Sequence, residues 1–294
     1  MKLYYWKHGT EKRNFGDDLN PWIWERCMPG VLDDNADTIF MGIGTLLNRK
    51  YIPAAHKRVI FSSGAGYGHP PQMDDSWKIY CVRGPLTARR LGIPENFALT
   101  DGALLVRKFY RPSPDKKHRF SYMPHIIQAY SGGKSWQKVC QRTGIHYIDP
   151  QGSVDGILNE ISTTECLITE AMHGAIVADC LRVPWIPVKT TERILRFKWE
   201  DWCASVGLSY SPCRMMPLWD PQEGGFMRQM RHRLKTQLVM GQLLHIASHA
   251  HRNLSDDKKL QILLDELDTR CEMFKKDLKN GLFQIDQKSE KCLK

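Results

Sequence analysis

Through the first two hundred residues, apolar runs of three to six positions alternate with polar, glycine-bearing loops and longer amphipathic stretches. Lys2 to Trp6, Thr38 to Met41, Arg58 to Phe61 and Trp77 to Val82 read as short strands. Phe120 to Met123, Ile145 to Ile148, Cys166 to Ile168 and Trp185 to Val188 continue the series. Between them lie helix-like segments such as LNPWIWERC and RGPLTARRLG, where Pro85 suits a first helical turn and Gly92 an end. Strands that repeatedly feed a loop and then a helix predict βαβ units and parallel sheets. The charged, proline-bearing segment RKFYRPSPDKKHR (107–119) separates two such series. The expected fold is therefore α/β, with two Rossmann-like domains, 1–112 and 113–219, whose strand-end loops face each other across a cleft.

After Trp219 the pattern becomes helical and defines an expected extension over 220–294. Between Gly224 and Ser255 there is no acidic residue, while arginines and four histidines accumulate. Met227, Met230, Leu234 and Leu238 keep helical spacing there. Ser255 reads as the N-cap of a second helix, backed by Asp256 and Asp257. Its seam of Leu260, Leu264, Leu267, Cys271, Phe274 and Leu278 suits packing on the body, self-association into a homo-oligomer, or contact with a membrane surface. The closing DQKSEKCLK reads as frayed.

Composition narrows the picture mainly by exclusion. At 42% hydrophobic and 25% charged, the chain is ordinary for a globular protein. No apolar stretch approaches the roughly 20 residues that cross a bilayer, and the N-terminal segment lacks a signal-peptide core, so a cytoplasmic location is expected. Nine cysteines without a C-x-x-C pair predict reduced, buried thiols and no metal site. The net charge of +10 comes without an RNP motif, a zinc finger or a basic block, which argues against nucleic acid. A basic surface also suits small anionic substrates or the anionic face of a membrane.

Candidate chemistry sits at the predicted strand ends. Three glycine loops, NFGDD (Asn14, Gly16, Asp17), GIGT (Gly42, Gly44) and SSGAGYG (Gly64), are either tight turns or close approaches of backbone N–H groups to an anion. Arg83, directly after a strand, either grips a carboxylate or phosphate or forms a surface ion pair. Asp101 either accepts hydrogen bonds from a sugar or caps the next helix. His125 follows the strand FSYM. His173 stands at the elbow of ITEAMHGAIVADCLRVPW, with Glu170 near enough in sequence to orient it. A histidine held by a carboxylate serves as a general acid or base near neutral pH, whereas a lone histidine on an apolar helix is more often a core residue.

The ordered set NFGDDL, GIGT, RGPLTARRLGIP, LTDGALL, MPH and ITEAMHGAIVADCLRVPW resembles the polysaccharide pyruvyl transferase family over about residues 3 to 205, nearest to the ketal pyruvate transferases of succinoglycan- and xanthan-type exopolysaccharides. The resemblance implies an architecture similar to GT-B glycosyltransferases. It also implies a reaction in which pyruvate moves from phosphoenolpyruvate, the donor substrate, to a sugar as a cyclic ketal, with no cofactor. His173 matches the family's signature histidine and takes the acid/base role. The acceptor implied is an oligosaccharide, usually lipid-linked at the inner face of the membrane. Where many members carry an arginine two residues before that histidine, this chain has Ala171; Arg83, Arg193 and Lys198 are the candidates to replace it, with Arg83 and Lys198 preferred. Two rival readings are a nucleotide-sugar-dependent glycosyltransferase of the same architecture and a non-catalytic scaffold of polysaccharide assembly.

Overall fold

The computed structural model describes residues 1–7, 13–220 and 226–283. The expected frayed end at 286–294 lies outside the described residues. The first half contains β1 (Lys2–Tyr4), α1 (Phe15–Cys27), β2 (Thr38–Met41), β3 (Lys57–Phe61), β4 (Trp77–Cys81), α2 (Pro85–Leu91) and α3 (Val106–Phe109). Its four strands form one parallel sheet in the order β1-β2-β3-β4. The second half contains β5 (His118–Met123), α4 (Ile126–Thr143), β6 (His146–Tyr147), α5 (Val154–Ser162), β7 (Thr164–Thr169), α6 (Met172–Cys180), β8 (Trp185–Lys189), α7 (Arg196–Ser205) and β9 (Cys213–Arg214). Its sheet, also parallel, has the order β6-β5-β7-β8-β9.

The second half follows the expected strand–helix alternation; the first does so only once. Between β2 and β3, and between β3 and β4, the crossover is loop rather than helix. Its helical cover comes from far along the chain. In α9 (Asp257–Lys279), Phe274 packs with ring centroids 5.4 Å from Phe40 and 5.3 Å from Tyr80. The Tyr80 hydroxyl donates to Asp277 at 2.6 Å, and Lys108 pairs with Asp268 at 2.6 Å.

The apolar seam of α9 is thus spent inside the chain. Leu260, Leu264, Leu267, Cys271 and Phe274 are all buried in the core, so they are not available as a homo-oligomer seam. The helix starts one residue later than its sequence suggests. Asp256 is the N-cap, accepting from the Lys259 N–H at 2.9 Å, because the Ser255 hydroxyl is taken by Asp179. The other late helix, α8 (Phe226–His249), buries Val239, Leu243 and Ile246 with Trp136 and Val139 of α4.

A single buried core joins the halves. It runs from Phe40 and Phe61 through Phe15, Leu19 and Trp24 of α1 to Ile176, Trp185 and Trp199. α1 links the two halves: the Phe15 N–H donates to Pro150 O at 2.9 Å and the Trp22 indole to Asp155 at 2.9 Å, both in the second half. Its N-terminus is thereby held against the strand ends of the second sheet.

Candidate functional site

At the C-terminal ends of β5, β7 and β8, a small cavity of about 60 Å3 is walled by Asn14, Gly16, His125, Ala171, His173 and Lys198, among others. His173 occupies the second position of α6, whose N-cap, Ala171, offers no side-chain cap; the Ala171 N–H is taken instead by the Thr169 hydroxyl at 3.0 Å. Gly16 lies against the imidazole. A methyl group there would sit 2.2 Å from Nδ1, so only glycine lets α1 approach this ring.

The carboxylate facing the imidazole is not Glu170. Asp101, from the loop before α3, places Oδ2 3.7 Å from His173 Nε2. Its other oxygen accepts the Ala103 N–H at 3.0 Å, so the residue caps a short helical turn and also reaches the histidine. Both Oδ2 and Nε2 are buried, and neither has a hydrogen-bond partner among the described residues. Two buried polar atoms left facing each other are costly unless a proton is shared between them. The expected Glu170–His173 pairing is corrected accordingly. The Glu170 carboxylate accepts from the Thr190 N–H, from the Thr190 hydroxyl at 2.6 Å and from the His125 N–H at 3.4 Å. It ties together the ends of three neighbouring strands, and burial raises its pKa despite these bonds.

Two further basic groups line the cavity. His125 is the N-cap of α4, with Nδ1 accepting from the Ile127 N–H at 3.3 Å, which leaves Nε2–H as a donor. Burial, helped by the charge of Lys198, pushes the His125 pKa down to about 3, so it is neutral at pH 7. Lys198, in the first turn of α7, has no hydrogen-bond or ion-pair partner among the described residues. Burial foremost, then the nearby Arg83, lowers its pKa to about 8, while Asp17 and Glu170 pull the other way.

Arg83 has a different fate from the one expected. Its side chain is fully buried and donates to Asp201 at 3.0 Å, to the Thr45 hydroxyl at 3.0 Å and to Ala65 O at 2.9 Å. Asp201 also accepts from the Thr87 N–H at 2.9 Å and hydroxyl at 2.5 Å, and a methyl on Gly84 would collide with the Asp201 carbonyl at 2.1 Å. The RGPLTA motif is thus a clasp on α7, and Arg83 does not line the cavity. Its charge reaches the site through Lys198.

The glycine loops divide likewise. NFGDD reaches the cavity through Asn14 and Gly16, and the Asn14 amide donates to Asp17 at 2.6 Å. Gly42 and Gly64 instead allow close packing, since methyl groups there would lie 2.0 Å from the Trp24 indole nitrogen and 2.1 Å from the Arg83 guanidinium carbon. Gly44 has φ 115°, a conformation glycine adopts freely, and its carbonyl accepts from the Gly64 N–H at 2.8 Å. None of these three is placed to cradle an anion in this cavity. Arg193, in the loop before α7, is absent from the walls as well.

Sequence reasoning missed Asp201, Thr190 and Asn20. The Asn20 amide clamps the GIGT loop, accepting from the Ile43 N–H at 2.8 Å and donating to Ile43 O at 3.0 Å. Asp201 lies 118 residues from Arg83, and no local pattern links such partners. Among the described residues, no group of three or more His, Cys, Asp or Glu side chains is arranged to hold a metal, and no helix is long and apolar enough to cross a membrane.

A parallel α/β body thus brings an imidazole and a lysine without a partner among the described residues to the walls of one cavity, with a buried carboxylate 3.7 Å behind the imidazole. These are residue types able to move protons and to meet an anion. Comparison with known proteins supplies the family. The family model described as polysaccharide pyruvyl transferase matches residues 4–191. The succinoglycan biosynthesis protein ExoV of Rhizobium meliloti (strain 1021) is 39% identical over 218 residues, covering 73% of this chain and 68% of that protein. The chain belongs to the polysaccharide pyruvyl transferase family and is an enzyme of that type.

Proposed function

We propose that the enzyme takes the pyruvyl group of phosphoenolpyruvate and sets it as a cyclic ketal on two hydroxyls of one sugar in an exopolysaccharide repeat. The two halves, 1–112 and 113–219, serve as two lobes whose facing loops enclose the reaction. The observation that carries the reading is the His173–Asp101 pair, 3.7 Å apart, beside Lys198, with neither the two facing atoms nor the ammonium hydrogen-bonded to any described residue.

With Nε2 shut against Asp101, the nitrogen left for substrate is Nδ1, beside Gly16 at the mouth of α1. In the imidazolium form, Nδ1–H donates its proton to the donor's methylene carbon, and C2 becomes an oxocarbenium ion. A sugar hydroxyl then bonds to C2 and returns a proton to Nδ1. The second hydroxyl displaces the phosphate from C2, closing the ring and passing its proton to the departing phosphate. Throughout, Nε2–H stays directed at Asp101, which holds the ring in place, as an orienting carboxylate does for a catalytic histidine.

Lys198 replaces the arginine that Ala171 lacks. Both residues line the same cavity, so the small methyl of Ala171 leaves room for the ammonium to meet the donor's carboxylate or phosphate. Neutral His125 adds a hydrogen-bond donor without adding charge.

Helix α8 bears on where the reaction takes place. Its inner face is in the core, yet Leu234 and Leu238 on the outer face are 59% and 61% exposed, flanked by Arg231 and Arg233. An apolar stripe edged by cations suits the anionic surface of a membrane, where a lipid-linked acceptor would reside.

The reaction is tested by incubating the enzyme with phosphoenolpyruvate and the depyruvylated oligosaccharide repeat, then measuring phosphate release and the ketal methyl signal by NMR. Equal release of phosphate and formation of ketal is expected. Stabilisation of the protein by nucleotide sugars and not by phosphoenolpyruvate would favour the glycosyltransferase reading instead.

A further inference from the structure

A second, much larger concavity opens along the edge of the first sheet. It has a volume of about 820 Å3 and is built from the residues that follow β1 (Trp6), β2 (Thr45 to Tyr51) and β3 (Tyr67 to His69). Three rings stand half out of the surface there: Trp6 at 50%, Tyr51 at 46% and Tyr67 at 46% exposure. Trp6 and Tyr51 are neighbours, with ring centroids 5.4 Å apart.

The loops that carry the rings are pinned. The Tyr4 hydroxyl donates to Tyr51 O at 2.6 Å, the Arg49 N–H to His69 O at 2.9 Å, and Arg90 to Gly66 O at 3.2 Å and Gly68 O at 2.7 Å. The groove is therefore preformed. Among the described residues no carboxylate lines it, whereas Arg49, Lys50 and His69 do. It also adjoins the site described above, because the hydroxyl of its wall residue Thr45 accepts from Arg83, whose charge in turn acts on Lys198.

We propose that this groove binds the oligosaccharide acceptor, holding the sugars next to the one that receives the pyruvyl group. A pyranose has a C–H face that lies on an aromatic ring and equatorial hydroxyls that reach a polar rim, and half-exposed rings on fixed loops offer such platforms. The volume is many times that of the inner cavity and lies in the upper range for ligand pockets, far more than a three-carbon donor needs. A nucleoside diphosphate would also stack, but ribose is commonly held by an acidic side chain, and the described lining residues include none.

The inference rests on the pyruvyl-transfer reading, and its test separates the two. Oligosaccharides of one to eight residues, cut from the depyruvylated exopolysaccharide of the source strain, are titrated by calorimetry; phosphoenolpyruvate binding is followed separately by thermal shift. Affinity should rise with chain length. Trp6→Ala, Tyr51→Ala and Tyr67→Ala should each weaken the longer ligands by about tenfold, leaving phosphoenolpyruvate stabilisation unchanged, and Trp6→Phe should retain most of the binding. Binding that is absent, independent of length, or untouched by the three substitutions overturns the groove, as does displacement of the oligosaccharide by uridine diphosphate. Length-dependent binding through the rings in a protein that phosphoenolpyruvate does not stabilise would keep the groove and remove the donor reading.

Discussion

Arg83 and Lys198 stand near one another and were equally good candidates for gripping an anion, yet the fold treats them oppositely. Arg83 arrives at the end of β4 with a carboxylate, a hydroxyl and a carbonyl already waiting, and no part of it reaches solvent. Lys198, on α7, is driven into the same neighbourhood with no hydrogen-bond or ion-pair partner among the described residues, and burial foremost lowers its pKa to about 8. The difference extends to the two sheet edges. Glycines and polar groups at the first edge mostly satisfy one another, whereas at the second edge His173 Nε2 faces Asp101 and Lys198 lines the cavity, neither hydrogen-bonded to a described residue. Arg83, already paired, holds the fold together, whereas Lys198, without a partner among the described residues, is the cation proposed to meet the substrate.

The sharpest way to break this contrast is at the unsatisfied pair. His173→Ala should lower the rate of phosphate release by about a thousandfold or more, in line with the loss of a general acid/base group. Asp101→Asn should cost less, about ten- to a hundredfold, because the amide keeps a partner that can orient Nε2 but lacks the negative charge opposite the ring. Steady-state kinetics settles both. Equal rates for wild type and His173→Ala would take this residue out of the mechanism.

The satisfied pair should respond in stability instead. Asp201→Asn leaves the Arg83 guanidinium buried without its counter-charge, a loss of about 3–5 kcal/mol. Thermal melts should show this as a fall of roughly 10 °C. The double variant Arg83→Met, Asp201→Leu should recover part of the loss, since a buried ion pair can often be replaced by apolar packing. If Asp201→Asn melted like wild type while donor binding collapsed, Arg83 would have to be reassigned to the substrate.

That these two pairs were hard to tell apart from sequence has a physical cause. Strands were legible because their apolar runs are local: Thr38 to Met41 and Trp185 to Val188 fall within or on β2 and β8. The elbow at His173 was legible for the same reason. What was not legible depends on partners far along the chain. Asp101 lies 72 residues before His173, and Asp201 lies 118 residues after Arg83. Glu170, only three residues from His173, was the natural choice for an orienting carboxylate, but β7 ends with that side chain turned toward Thr190. The α9 seam was visible as a stripe, yet its destination, against Phe40 and Tyr80, was set by the whole fold.

Lys198 gives a titratable version of the comparison. Binding an anion needs the ammonium form, so with a pKa of about 8 the KM for phosphoenolpyruvate should climb as pH rises above 8. Lys198→Arg should remove that climb, because guanidinium stays charged. Lys198→Ala should raise KM about ten- to a hundredfold with a smaller change in kcat. For folding the sign is opposite. The lowered pKa means that the unfolded chain holds more protons between pH 8 and 10.5, so the ligand-free protein should gain stability from this group across that window. A flat KM from pH 7 to 9 would show that Lys198 does not meet the donor.

The smallest effect should come from α8, whose two apolar faces repeat the contrast between satisfied and unsatisfied in hydrophobic terms. Val239 and Leu243 are fully buried against the body, while Leu234 and Leu238, on the other side of the helix, are exposed. Leu234→Gln with Leu238→Gln should leave the melting temperature within about 1 °C of wild type, because the sites face solvent. Binding to vesicles containing anionic phospholipid should fall several-fold, roughly what the loss of two partly inserted leucines implies. High salt should weaken the wild type as well, since Arg231 and Arg233 contribute through screened charge. Unchanged sedimentation of the double variant with vesicles would detach α8 from the membrane and leave its outer stripe without that role.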